Sequence, residues 1–230
     1  MDLSGISYVG FRRVIERGTA EIIEETDKGI LLCDTVSGVY MLASDDEETG
    51  KALIDRNLDR KITLLETTSK EVGEYAGEKY GLDKVEECWQ FAYTGDAPEE
   101  DPRLTVRTAE LSDLPVIMKV YDMVSEEEMA RDIRRGSVLM AYDGDDLVGF
   151  IGEHLEGSMG MLYVYPEFRH KGYASALENI GFSRTIKRGE TPYGQVISDN
   201  TASYNLQKKK GLEQADKMIY WVFKDQEQEV

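Results

Sequence analysis

Apolar and polar positions along this chain follow two different periods, and the switches between them predict its elements. Past residue 100, residues 104–107 read as a short strand. The stretch LSDLPVIMKVYDMV then repeats apolar residues at helical spacing, with Leu114, Ile117, Met118 and Tyr121 on one face, Pro115 in the first turn and Ser112 as N-cap. SEEEMARDIRRG predicts a second helix, opened by the capping-box spacing of Ser125 and Glu128 and stopped by Gly136. Residues 138–142 and 147–153 alternate like strands joined across Asp143-Gly144, and a turn at Glu156-Gly157 leads to a third, MGMLYVY. A helix over 174–187 stopped by Gly189, a strand over 194–198, a helix over 201–210 and a last strand, MIYWVFK, complete the series. That order describes an α/β layer structure on a mixed, mostly antiparallel sheet flanked by helices.

The first hundred residues show a similar plan. Strand-like TAEIIEET, GILLCDT and GVYMLAS precede helical DEETGKALIDRN, strand KITLLET, helix SKEVGEYAGEKYG and strand ECWQFAY, in which Trp89, Phe91 and Tyr93 share a face. Between the two series, YTGDAPEEDPRL gathers Gly95, Pro98 and Pro102 among acidic residues and marks a boundary. The expected domains are therefore 1–98 and 103–230.

Composition narrows the function classes. A length of 230 residues with 41% hydrophobic content supports a globular core, and no run approaches a membrane span. The start of the chain lacks the basic and apolar regions of a secretory signal, so a cytoplasmic location without membrane attachment is expected. Two cysteines, Cys33 and Cys88, and two histidines make neither a disulfide framework nor a metal site. A net charge of −18 argues against nucleic acid as a partner. The charge is uneven: residues 1–100 hold 11 basic and 23 acidic residues, and the remainder 16 and 22.

In the less acidic half, one segment stands out. Arg169, His170 and Lys171 precede Gly172 at the start of an amphipathic helix, an arrangement that offers backbone amides and cations to an anion. Arg169-His170-Lys171-Gly172-Tyr173-Ala174 fits [QR]-x-x-G-x-[GA] directly after VYPEFR, and DNTASYNLQKKKGL follows about 30 residues later, close to N-x-x-[AS]-x-x-L-x-x-x-x-G-[FL]. With the order of elements, these motifs make residues 103–225 resemble the GNAT superfamily of acyl-CoA-dependent N-acyltransferases.

The resemblance implies that acetyl-CoA is the co-substrate and that residues 169–174 hold its pyrophosphate. Gly172 would let the backbone approach the phosphates, and Arg169 and Lys171 would add charge. It implies further that Leu162 and Val164 flank the backbone groups that pair with the pantetheine arm, and that Asn200 and Ser203 border its thioester end. An amine of a small molecule or a peptide would be the acceptor. Because an alkylammonium is almost wholly protonated at pH 7, a base must remove its proton. The family's usual tyrosine acid falls on Gln207, so Tyr204, three residues earlier, is the candidate acid. Glu153 is the candidate base, with His154 and Glu156 as alternatives.

In the N-terminal half, Glu47-Glu48-Thr49-Gly50-Lys51-Ala52 aligns with 169–174, and Lys79-Tyr80-Gly81-Leu82 with 209–212, as in a degenerate duplication. Two carboxylates then stand where phosphates would sit, so this half is expected not to bind CoA but to wall the acceptor cleft or mediate self-association into a homodimer. The alternative to an acetyltransferase is a non-catalytic module that senses acyl-CoA or assembles with partners.

Overall fold

A computed structural model describes residues 1–225. In chain order it contains a 3₁₀ turn at Ile6–Tyr8, α1 (Val9–Glu16), β1 (Ala20–Thr26), β2 (Gly29–Asp34), β3 (Tyr40–Ser44), α2 (Glu47–Arg56), β4 (Leu64–Thr67), α3 (Lys70–Tyr80) and β5 (Lys84–Ala92). Then come β6 (Leu104–Thr108), a 3₁₀ turn at Leu111–Asp113, α4 (Leu114–Met118), α5 (Glu126–Arg134), β7 (Val138–Asp143), β8 (Asp146–Glu153), β9 (Met159–Val164) and a 3₁₀ turn at Pro166–Phe168. The chain continues through α6 (Tyr173–Lys187), β10 (Tyr193–Ile197), α7 (Thr201–Lys209), β11 (Glu213–Gln214) and β12 (Ile219–Phe223). No helix among the described residues is long and apolar enough to cross a membrane.

These elements form two compact units, one of Met1–Ala92 with the segment from Gln195 onward, the other of Tyr93–Gly194. The C-terminal segment joins the first because of strand pairing. β12 lies antiparallel between β4 and β5, with Val222 opposite both Leu65 and Val85, and β11 pairs with the far end of β5. The first unit's sheet runs β1-β2-β3-β4-β12-β5-β10. Strands β2 to β4 are buried on both faces. Leu31 of β2 packs beneath α2 and α3 with Leu53, Ile54 and Val72, whereas Ile30 and Leu32 point to the opposite face, where Phe11 and Val14 of α1 cover them. Of the two free thiols, Cys33 is half-buried and Cys88 is buried, its thiol pushed up to about 12 by loss of solvent.

The second unit is an antiparallel sheet, β6-β7-β8-β9, with α4 and α5 on one face and α6 on the other. The capping box of Ser125 and Glu128 opens α5 as the spacing predicts. The helix expected with Ser112 at its head is different. Glu110 and Asp113 form a capping box around the 3₁₀ turn, α4 follows without a side-chain cap, and the N–H groups of Val120 and Tyr121 both turn back to the Ile117 carbonyl, which closes the helix after Met118.

Candidate active site

Strand β9 is the outer strand of its sheet and is hydrogen-bonded to β8. Its pairing slips by one residue between the partners Phe150 and Gly152. The slip is a β-bulge centred on Met161, which takes φ +50°, a conformation that strains any residue but glycine and costs about 1–3 kcal/mol. The bulge also flips side-chain alternation: Met159 packs toward α6, yet Met161 and Tyr163 pack toward α4 and α5 while Leu162 and Val164 face α6. Tyr121, whose phenol is pushed up to about 12 mainly by burial, receives a backbone hydrogen bond from Met161.

From β9 the chain passes through the 3₁₀ turn into the basic loop. His170 adopts φ +60° and Gly172 φ +89°, and α6 begins with Gly172 as an N-cap that supplies no side chain to its first-turn amides. That first turn is the positive end of a 15-residue helix. Three cations lie on or beside the loop. Arg169 donates from Nε to the Val164 carbonyl at 3.0 Å and lies over the Tyr163 ring, and Lys171 lies over Phe168. The third, Arg103, comes from the start of the second unit. It stacks on Tyr173 at 4.7 Å and donates to the Lys171 carbonyl at 3.4 Å while held by Asp101, whose carboxyl its hydrogen bonds lower to about 2. The Tyr173 hydroxyl donates to the Asp143 carboxylate. Sequence reasoning missed Arg103 because it belongs to no motif, and strand pairing alone carries it to the loop.

Glu153 ends β8. Its Oε1 accepts from Thr185 Oγ1 at 2.6 Å and from the Arg188 guanidinium at 2.5 Å, so Oε2 is the open atom. The His154 ring lies against Gly160, and Glu156 is buried and accepts a hydrogen bond from Ser158 Oγ. A second buried acid lies on α5. Asp132 is 2% exposed, its Oδ1 makes no hydrogen bond, and the Arg135 guanidinium is 3.8 Å away. Burial pushes the Asp132 carboxyl up to about 7, with Glu156 and Glu128 adding to the rise and Arg135 opposing it.

The second unit contains Glu153, Leu162, Val164 and residues 169–174, with Glu153 bonded at the end of α6 away from residues 169–174. Asn200, Ser203 and Tyr204 belong to the first unit. There Asn200 caps α7 by accepting from the Ser203 N–H at 3.1 Å, and the Tyr204 hydroxyl donates to Gln214 Oε1 at 3.2 Å while its ring meets Trp89 and Phe91 edge-on.

The N-terminal half repeats the succession of three strands, helix, strand, helix, strand, but with a different helix head. Asp46 is the N-cap of α2 and accepts from the Thr49 N–H at 2.7 Å, and Glu47 and Glu48 follow it. Aligned by helix starts, Asp46 rather than Gly50 corresponds to Gly172, because Gly50 lies buried inside α2. Gly81 and Gly211 each take positive φ after their helices. Beside α2, β3 and β4 are hydrogen-bonded in parallel register from Tyr40↔Leu65 to Leu42↔Thr67.

A family model described as FR47-like protein matches residues 139–222. Among solved structures, a Drosophila protein superposes with a TM-score of 0.64 at 16% identity over 96% of this chain and 91% of its own. A putative acetyltransferase of the GNAT family from Novosphingobium aromaticivorans gives 0.55 at 15% identity, covering 92% and 94%. A GCN5-related N-acetyltransferase from Kribbella flavida gives 0.57 at 10%, covering 96% and 95%. No curated protein matches the chain significantly.

Proposed function

We propose that this chain, which carries the GNAT fold and matches the FR47-like family model over residues 139–222, is an N-acetyltransferase that moves an acetyl group from acetyl-CoA to a primary amine of a small molecule or peptide. The observation that carries the reading is the head of α6: a left-handed glycine without a side-chain cap, on a loop that also carries Arg169 and Lys171 and beside which Arg103 stacks on Tyr173. Coenzyme A fits such a place because its pyrophosphate needs N–H donors and positive charge, and a Cβ at Gly172 would intrude on that approach.

In this reading, residues 169–174 and Arg103 hold the phosphates. The outer edge of β9, with Leu162 and Val164, offers backbone groups to an extended arm. The bulge turns the backbone at Met161 out of the ladder beside the edge that the arm would follow. Acetyl-CoA supplies the thioester whose C–S bond is exchanged for the C–N bond of the amide. The proton released by the amine goes to Glu153 Oε2, because Oε1 is occupied, and the thiolate regains a proton from solvent. The reading rests on the second unit alone and leaves Asn200, Ser203 and Tyr204 as proposed contacts of the arm and the leaving group. The net charge of −18 favours a cationic acceptor, since an acidic surface concentrates cations.

Calorimetric titration of acetyl-CoA into the wild-type protein and into Gly172→Glu tests it. Binding in the micromolar range that disappears in the variant supports the site, and absence of wild-type binding ends the reading. Release of free thiol with a library of amines then separates an enzyme from an acyl-CoA sensor, which would bind without turnover.

A further inference from the structure

Each of the three cations on or beside the basic loop rests on an aromatic ring. Arg103 stacks on Tyr173 at 4.7 Å, Lys171 Nζ stands 5.4 Å from the centre of the Phe168 ring, and the Arg169 guanidinium stands 5.6 Å from that of Tyr163. Phe168 belongs to the loop and Tyr173 opens the helix after it. Tyr163 belongs to neither. It lies on β9, and the bulge at Met161, two residues earlier, decides which way it points.

Met159 packs toward α6, and unbroken alternation would send residues 161 and 163 the same way. The bulge reverses this. It places Tyr163 on the side of α4 and α5, opposite Phe150 of β8, and the two rings stack at 5.7 Å with 19° between their planes. Tyr165 meets Tyr163 edge-on at 5.2 Å, so two rings brace it. On that braced ring Arg169 is restricted. Its Nε donates to the Val164 carbonyl at 3.0 Å, and its terminal nitrogens make no hydrogen bond or ion pair among the described residues. A guanidinium fixed at Nε and laid on a ring keeps its outer N–H groups for an incoming anion, and it loses less rotamer freedom when that anion arrives. Strained backbone persists where its surroundings hold it, and it concentrates at functional sites.

We propose that Tyr163 is a positioning residue for cofactor binding: turned by the Met161 bulge and braced by Phe150, its ring holds the Arg169 guanidinium ready for a phosphate of acetyl-CoA. The proposal rests on the proposed acetyl-CoA site and adds to it a residue outside the loop motif. It also gives the strained bulge a use, since a regular strand would turn the ring away from Phe150.

The test is a double-mutant cycle in the full chain, read by titration with acetyl-CoA. Tyr163→Leu is expected to weaken binding about twofold to fivefold when Arg169 is present and to change nothing further in Arg169→Ala. Tyr163→Phe keeps the ring and restores the affinity. A ring that served only the folding of β9 would lower affinity by the same factor with and without Arg169, and that result overturns the proposal, as does a Tyr163→Phe variant as weak as Tyr163→Leu. Without ligand, the Arg169 side-chain NMR signals are expected upfield of their random-coil positions in the wild-type protein and in Tyr163→Phe, but not in Tyr163→Leu. Random-coil positions in the wild-type protein would show that the ring does not carry the guanidinium. Absence of wild-type binding ends the acetyltransferase reading and this proposal with it, whereas equal factors in the cycle remove Tyr163 alone. Should Tyr163→Leu lose its native spectrum, Tyr163→Ile, a better strand former, enters the same cycle.

Discussion

The guanidinium of Arg103 lies 4.7 Å over the ring of Tyr173, the first residue of α6, and reaches the Lys171 carbonyl two residues earlier. A residue from the start of β6 is thereby stationed at the head of the helix that follows the basic loop. Under the proposed function this cation stabilises the phosphates of acetyl-CoA. Arg103 is about half exposed, so solvent screens it and its contribution is small. Arg103→Ala is expected to weaken acetyl-CoA binding about twofold to fivefold, and to flatten the dependence of affinity on salt, measured by titration at several ionic strengths. Unchanged affinity with unchanged salt dependence would remove Arg103 from the site and leave the rest of the loop in place.

Asp132 couples stability to pH. Burial raises its folded pKa to about 7, above an unfolded value near 3.9, so the folded protein holds this proton more tightly. Wherever the folded state binds more protons, stability falls as pH rises. That loss begins above about pH 4 and is complete past about pH 7, and it amounts to a few kcal/mol. Asp132→Asn removes the titration. Urea midpoints measured from pH 5 to pH 8 are expected to decline for the wild-type protein and to stay flatter for the variant, with the larger gain of the variant at pH 8. Parallel profiles would show that the Arg135 pair holds the carboxylate charged throughout.

Much of the second unit was legible from local pattern, because its information is local. The capping box at Ser125 and Glu128, the turn at Asp143-Gly144 and the glycine before α6 each act within a few residues of themselves. The loop motif could therefore be found without knowing the fold. What alternation could not supply was the partner of each strand. β12 is plainly a strand in the sequence, yet nothing in MIYWVFK says that it inserts between β4 and β5, more than 125 residues upstream. β11, at two residues, is too short to carry a period. The bulge puts its positive φ on Met161 and not on the neighbouring Gly160, and Arg103 and Asp132 owe their importance to what the sheet and burial place around them.

Close approach of two backbones gives a sharper stability test. A Cβ on Gly194 would stand 2.7 Å from the Met159 carbonyl oxygen, an atom of the strand itself that cannot swing aside. Gly194→Ala is expected to cost about 1–3 kcal/mol of unfolding free energy. The same change at Gly189, where no atom lies within 4 Å, creates no clash and strains only the φ of +80°, for about 1 kcal/mol. Equal midpoints for the wild-type protein and Gly194→Ala in chemical denaturation would mean that β9 and β10 can separate at this point without loss.

The two helix heads predict the stoichiometry of binding. At α6, Gly172 offers no side-chain cap; at α2, Asp46 already satisfies the Thr49 amide, and Glu47 and Glu48 bring two more negative charges to the same turn. The strands differ as well. β9 keeps its outer edge in its own sheet, whereas β3, its counterpart, is zipped to β4 over three residue pairs, which occupies the backbone groups an extended arm would need. Charge, cap and edge all argue that the N-terminal half cannot take acetyl-CoA. Calorimetry is therefore expected to give one site per chain. Asp46→Ala separates the cap from the ligand: it is expected to lower stability by about 1 kcal/mol, the usual loss for such a cap, while leaving acetyl-CoA affinity unchanged. A stoichiometry near two, or an affinity that moves with Asp46, would show instead that the first half retains a working site.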